Sequence, residues 1–135
     1  MGCCGWKRPD REPDPLPASS PHSEVLERHR SRAESALAAA TGGGSLCRTG
    51  DGPGVTGPKF AEGRLSAVAD LQRSARATAD TEVEDLAREA LASWEAEQRT
   101  SAVRSPAWSA YREGGIAELT SVIEALSAMA TAGGN

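Results

Sequence analysis

The chain has 135 residues and a net charge of −4, with only 19 Leu, Val, Ile and Phe against 24 Ala; that allows one domain at most, and a core only where the large side chains gather. Cys3, Cys4 and Cys47 are an odd number behind an N-terminus that turns to KRPDREPDP before any apolar stretch can form, so neither a disulfide framework nor a signal peptide is expected. No apolar run approaches the roughly 20 residues needed to cross a bilayer, so the expected setting is cytoplasmic, with reduced thiols.

Residues 1–19 carry Pro9, Pro13, Pro15 and Pro17 among charges of both signs. Such a composition buries too little surface to offset the entropy of ordering, and the reading is a disordered leader. Its first residues, Met1-Gly2-Cys3-Cys4, resemble the acylated N-termini of small eukaryotic membrane adaptors. The resemblance covers eight residues and implies lipidation, with myristate on Gly2 and palmitate on Cys3 or Cys4, Lys7 and Arg8 adding attraction to anionic lipid at the inner face of a membrane. Trp6 stands where that pattern prefers Ser or Thr.

Ser20-Pro21 is a helix start, Ser as N-cap and Pro at the first helical position. Val25, Leu26, His29, Ala33, Ala36, Leu37 and Ala40 follow at helical spacing, giving a loose, Ala-based helix over 20–40 that Gly42-Gly43-Gly44 ends. Residues 41–58 hold seven glycines and two prolines and read as a linker. Pro58 can open a second helix, with Phe60, Leu65, Val68, Leu71 and Ala75 on one face through about Ala79. Its side chains leave it basic by two.

Thr81-Glu82-Val83-Glu84 matches a capping box in which Thr81 accepts from the backbone and Glu84 reaches back. Val83, Leu86, Ala87, Ala90, Leu91 and Trp94 make the stripe of this third helix, whose segment 80–99 holds seven acids against two arginines. Basic second and acidic third helices are expected as antiparallel neighbours. Ser105-Pro106 repeats the cap-plus-proline start; Trp108 and Tyr111 share a face, and Gly114-Gly115 predicts a break or bend before Ile116, Leu119, Val122, Ile123, Leu126 and Met129 resume the pattern. No stretch alternates with period two, so no strand is expected. The expected fold is all-α: a small three- to four-helix bundle at 59–132, preceded by the leader, the loose helix and the Gly-rich linker.

Function is written less plainly. Gly52 and Gly57 have the separation of a phosphate-binding loop, yet Pro58 displaces Lys59, Phe60 stands where a hydroxyl should hold magnesium, and no strand precedes the loop. A linker is the better reading, and no cofactor is expected. Cys3, Cys4, His22, His29 and Cys47 lack metal-ligand spacing, and residues 59–132 contain no His or Cys, so neither a metal site nor an enzyme is expected. A helix-turn-helix would drive the acidic third helix into a groove lined with phosphates. The favoured function is a non-catalytic helical interaction or regulatory module that binds a protein partner or itself, with Trp94, Trp108 and Tyr111 as core fillers or interaction anchors. A small nucleic-acid-associated regulator is the alternative.

Overall fold

The computed structural model describes residues 20–42, 56–78, 80–100 and 105–133, which form four helices: α1 (Pro21–Thr41), α2 (Thr56–Ala77), α3 (Val83–Thr100) and α4 (Pro106–Gly133). There is no strand among these residues. The leader, and residues 43–55 of the linker, lie outside them.

Local chemistry sets the helix ends. Ser20 holds an extended backbone and its hydroxyl accepts from the Ser23 amide at 3.0 Å, with Pro21 as the first helical residue. Ser105 does the same for the Trp108 amide, also at 3.0 Å. Each hydroxyl satisfies one of the amides that a helix start leaves without a partner. At the other end of α1, Gly42 adopts φ 64° and its amide turns back to the carbonyls of Ala38 and Ala39; a left-handed backbone is costly for any residue with a Cβ.

Two local expectations are corrected. The second helix begins at Thr56, ahead of Pro58, which sits buried in its first turn, where a missing N–H leaves no bond unmade. The capping box at Thr81 does not form: α3 begins at Val83, with the Glu82 carbonyl accepting from the Leu86 amide. The Glu84 carboxylate turns instead to Arg88 within its helix and to Ser127 of α4.

The larger correction concerns Gly114-Gly115. Helix α4 runs unbroken through both residues. A Cβ on Gly114 would overlap the Phe60 carbonyl of α2, one on Gly63 would overlap the Tyr111 carbonyl of α4, and one on Gly115 would enter the Trp94 ring of α3. The glycines are therefore contact surfaces, and the close approach they permit compensates the roughly 1 kcal/mol that each costs in a helix.

The same contacts fix the topology. Phe60 meets Gly114 and Arg64 meets Glu118, so α2 and α4 run parallel. Glu97 pairs with Arg112 at one end of α3 and Glu84 with Ser127 at the other, so α3 and α4 run antiparallel. His22 lies near enough to Glu84 for its charge to be felt there, while His29 meets Glu118, so α1 also opposes α4. The result is an up-down-up-down bundle in which the tightly joined α2–α4 pair is the spine. The acidic α3 packs chiefly on α4 and only lightly on α2.

Leu71, Leu119, Leu126, Val68 and Val122 are fully buried in this spine, each contributing about 1.5–3 kcal/mol through loss of apolar surface to water. The first helix, read from the sequence as a loose segment ahead of the bundle, places Val25, Leu26 and Ala33 in the same core cluster. Ala87 is the buried residue of α3; its Val83, Leu86, Ala90, Leu91 and Trp94 pack against the rim of that cluster.

Candidate interaction site

Trp94 of α3 and Trp108 and Tyr111, one turn apart on α4, come together at the end of the bundle where α3 finishes and α4 begins. The Trp94 and Tyr111 rings stack with centroids 5.4 Å apart and planes inclined by 26°. Arg112 lies among the three rings, its guanidinium carbon 4.5 Å from the Trp94 centroid and 5.8 Å from those of Trp108 and Tyr111. Such contacts contribute on the order of 0.5–2 kcal/mol each, more as water is excluded. Arg112 also pairs with Glu97 of α3, while its Nε is buried without an acceptor.

The three aromatic residues do not play one role. All three are half-buried, but Trp94 seats its ring over Gly115 and packs against the core cluster, whereas Trp108 and Tyr111 lie outside that cluster. Trp94 is the core filler. The other two, with Arg112, form an amphipathic patch of the residue types that dominate protein interfaces.

A second constellation was not singled out from the sequence. Glu118 of α4, 3% exposed, takes a hydrogen bond from His29 of α1 at 2.6 Å on one carboxylate oxygen and from Arg64 Nε of α2 at 2.9 Å on the other. Burial pushes the Glu118 carboxyl up, but the hydrogen bonds from His29 and Arg64 and the charges of both outweigh it, leaving the group below the ordinary carboxylate range. An ionised carboxylate can only accept, so His29 Nδ1 is the donor of this hydrogen bond. Nearby, Arg30 donates to the Gln72 side-chain oxygen at 2.9 Å, and the Gln72 amide donates to Glu27 at 3.2 Å.

His29, which the sequence places in the helical stripe of the first helix with Val25, Leu26 and Ala33, is 5% exposed. Its partner lies 89 residues away, and no local pattern links the two. The accessible signal was Glu118 itself, which falls on the buried face of α4 in step with Gly115, Leu119 and Val122. Both of its oxygens are engaged, so it ties three helices together.

Gly2, Cys3 and Cys4, the lipidation candidates, lie outside the described residues, as does Gly52. Gly57 and Lys59 of the near-match to a phosphate loop lie in the first turns of α2, where the Lys59 ammonium donates to Glu62 at 2.9 Å. Among the described residues no group of three or more His, Cys, Asp or Glu is placed to hold a metal ion, and no helix is long and apolar enough to cross a membrane. Comparison of the chain with protein-family models, with curated proteins and with solved structures finds no match.

Proposed function

We propose that the chain is a non-catalytic helical interaction module, and that the patch formed by Trp108, Tyr111 and Arg112 is where it meets a protein partner or a second copy of itself. The observation that carries this reading is the division among the aromatics: Trp94 is spent on the core, while Trp108 and Tyr111 stand outside it with Arg112 against their rings. Trp, Tyr and Arg at the centre of a patch are the usual anchors of binding energy. The described part of α3 exposes Asp85, Glu89 and Glu97, a charge pattern that suits a protein partner better than a phosphate backbone.

The test is recovery of partners from native cells with the wild-type chain and with Trp108→Ala and Tyr111→Ala, each checked for retained helicity. Loss of the co-purifying protein, or of self-association, in the substituted chains supports the reading; an unchanged set of partners overturns it. Acylation at Gly2 with Cys3 or Cys4 would hold the module at the inner face of a membrane, two chains anchoring stably where one does not. Intact mass from the native host decides that point: acyl additions support tethering and an unmodified mass removes it.

A further inference from the structure

The three rings at this end of the bundle are fixed to different degrees. Trp94 is seated over Gly115 and packs against the core cluster, and Tyr111 stacks on it at 5.4 Å. Trp108 lies outside that cluster. Arg112, four residues on from Trp108, shares its face of α4, and the guanidinium carbon lies 5.8 Å from the Trp108 centroid and 4.5 Å from that of Trp94. Arg112 therefore bridges the outer ring to the seated one.

The arginine is turned inward to do so. Its side chain is 18% exposed, its Nε is buried with no acceptor, and its guanidinium pairs with Glu97 of α3, a carboxylate that is itself 56% exposed. A buried donor without an acceptor is a cost, and a guanidinium that gripped a partner's carboxylate would need its fork open to solvent. The inward position supplies something else: contact between a flat, permanently charged group and rings from two helices, which a lysine ammonium does not reproduce. Glu97 closes the arrangement from the solvent side. A ring held in place before contact loses less side-chain entropy when a partner arrives.

We propose that Arg112 is a positioning residue: it clamps Trp108 to the seated Trp94, with Glu97 as its latch, so that the binding face is ordered before anything meets it. The proposal rests on the reading of this patch as an interaction site. Within that site it assigns Arg112 to the support of the rings and leaves Trp108 and Tyr111 as the groups a partner touches.

NMR relaxation of the Trp94 and Trp108 indole N–H groups, on the full chain, tests it. Both should be rigid in wild type. In Arg112→Lys of native helicity, which keeps the charge and loses the flat group, the Trp108 order parameter should fall from about 0.85 to below about 0.6, while Trp94 stays rigid in its seat. Glu97→Gln, at an exposed position, should loosen Trp108 in the same direction by less. A mobile Trp108 in wild type, an unchanged Trp108 in Arg112→Lys, or equal loosening of both indoles, which marks a general loss of packing, overturns the proposal. Should Arg112→Lys fail to fold, Glu97→Gln decides by the same three outcomes. Capture from native cells separates the clamp from the reading it rests on. Partners lost with Trp108→Ala yet kept by an Arg112→Lys chain with a loosened Trp108 overturn the clamp; partners kept with Trp108→Ala overturn the site, and the ring measurement then judges the clamp.

Discussion

Gly63 of α2 lies directly against the backbone carbonyl of Tyr111 in α4, so that any side chain at that position would have to displace main chain. Gly114 meets the Phe60 carbonyl in the same way, and the two contacts form a reciprocal pair at the centre of the spine. Backbone cannot yield as the end of a flexible side chain can. Gly63→Ala and Gly114→Ala should therefore each destabilise the bundle by about 3 kcal/mol, the upper part of the range for overpacking. Gly57, in the first turn of α2 with nothing near its missing Cβ and no left-handed backbone, is the control: Gly57→Ala should stabilise by about 0.4–1 kcal/mol. Urea unfolding of the three variants checks the contrast, and equal effects at Gly57 and Gly63 would refute the close-approach account.

Glu118 makes a second, pH-dependent prediction. Its carboxyl sits below the ordinary value of 4.5 because donors from α1 and α2 outweigh its burial. A depressed carboxyl contributes stability that is fully present above the unfolded value and is lost as pH falls through the folded one. Wild type should therefore lose stability on acidification below about pH 4.5 more steeply than Glu118→Gln, whose amide does not titrate. At neutral pH Glu118→Ala should cost about 3–5 kcal/mol, since it leaves Arg64 and His29 without their acceptor. Thermal unfolding across pH 2.5–7 measures both, using intervals of about one unit to resolve the slope.

What could be read from the sequence were the features with local causes. Ser20-Pro21, Gly42 and Ser105-Pro106 act within one turn of themselves, and all three mark helix ends where the pattern put them. The all-α bundle followed from the helical spacing of the large side chains. The misreadings share the opposite property. Gly114-Gly115 looked like a break because helix propensity is local, whereas the reason for those glycines is a carbonyl and a ring on two other helices. Glu84 looked like half of a capping box, and its second partner, Ser127, lies 43 residues on. The aromatic residues were identifiable, but the division that seats Trp94 against the core cluster and leaves Trp108 outside it depends on Gly115, which only the packing shows.

The altered role of Glu84 is itself measurable. Its carboxyl is lowered first by the hydrogen bond from Arg88, then by that from Ser127, with Arg88 and His22 charges adding smaller effects. Carbon-detected NMR titration should show the Glu84 carboxyl rising towards the ordinary range in both Arg88→Ala and Ser127→Ala, and rising more in the former. A Glu84 titration unmoved by Ser127→Ala would remove the α3–α4 link and restore the local cap as the simpler account.

Trp94 and Trp108 separate fold from recognition. Trp94 fills the seat that Gly115 leaves and stacks on Tyr111, so Trp94→Ala opens a cavity between α3 and α4 and should cost about 3 kcal/mol. The reverse change, Gly115→Ala, drives a methyl into the ring and should also destabilise. Because each substitution disturbs the same contact, the double variant Trp94→Ala with Gly115→Ala should cost less than the sum of the two, by about 1 kcal/mol or more. Trp108 stands outside the core cluster, and its truncation should cost about 1 kcal/mol or less in stability while removing an anchor of the proposed interface. Denaturant unfolding, read beside partner capture on the same preparations, distinguishes the two tryptophans. Were Trp108→Ala to unfold the bundle as readily as Trp94→Ala, the division between core and anchor would be lost, and with it the main support for a binding face at this end of the molecule.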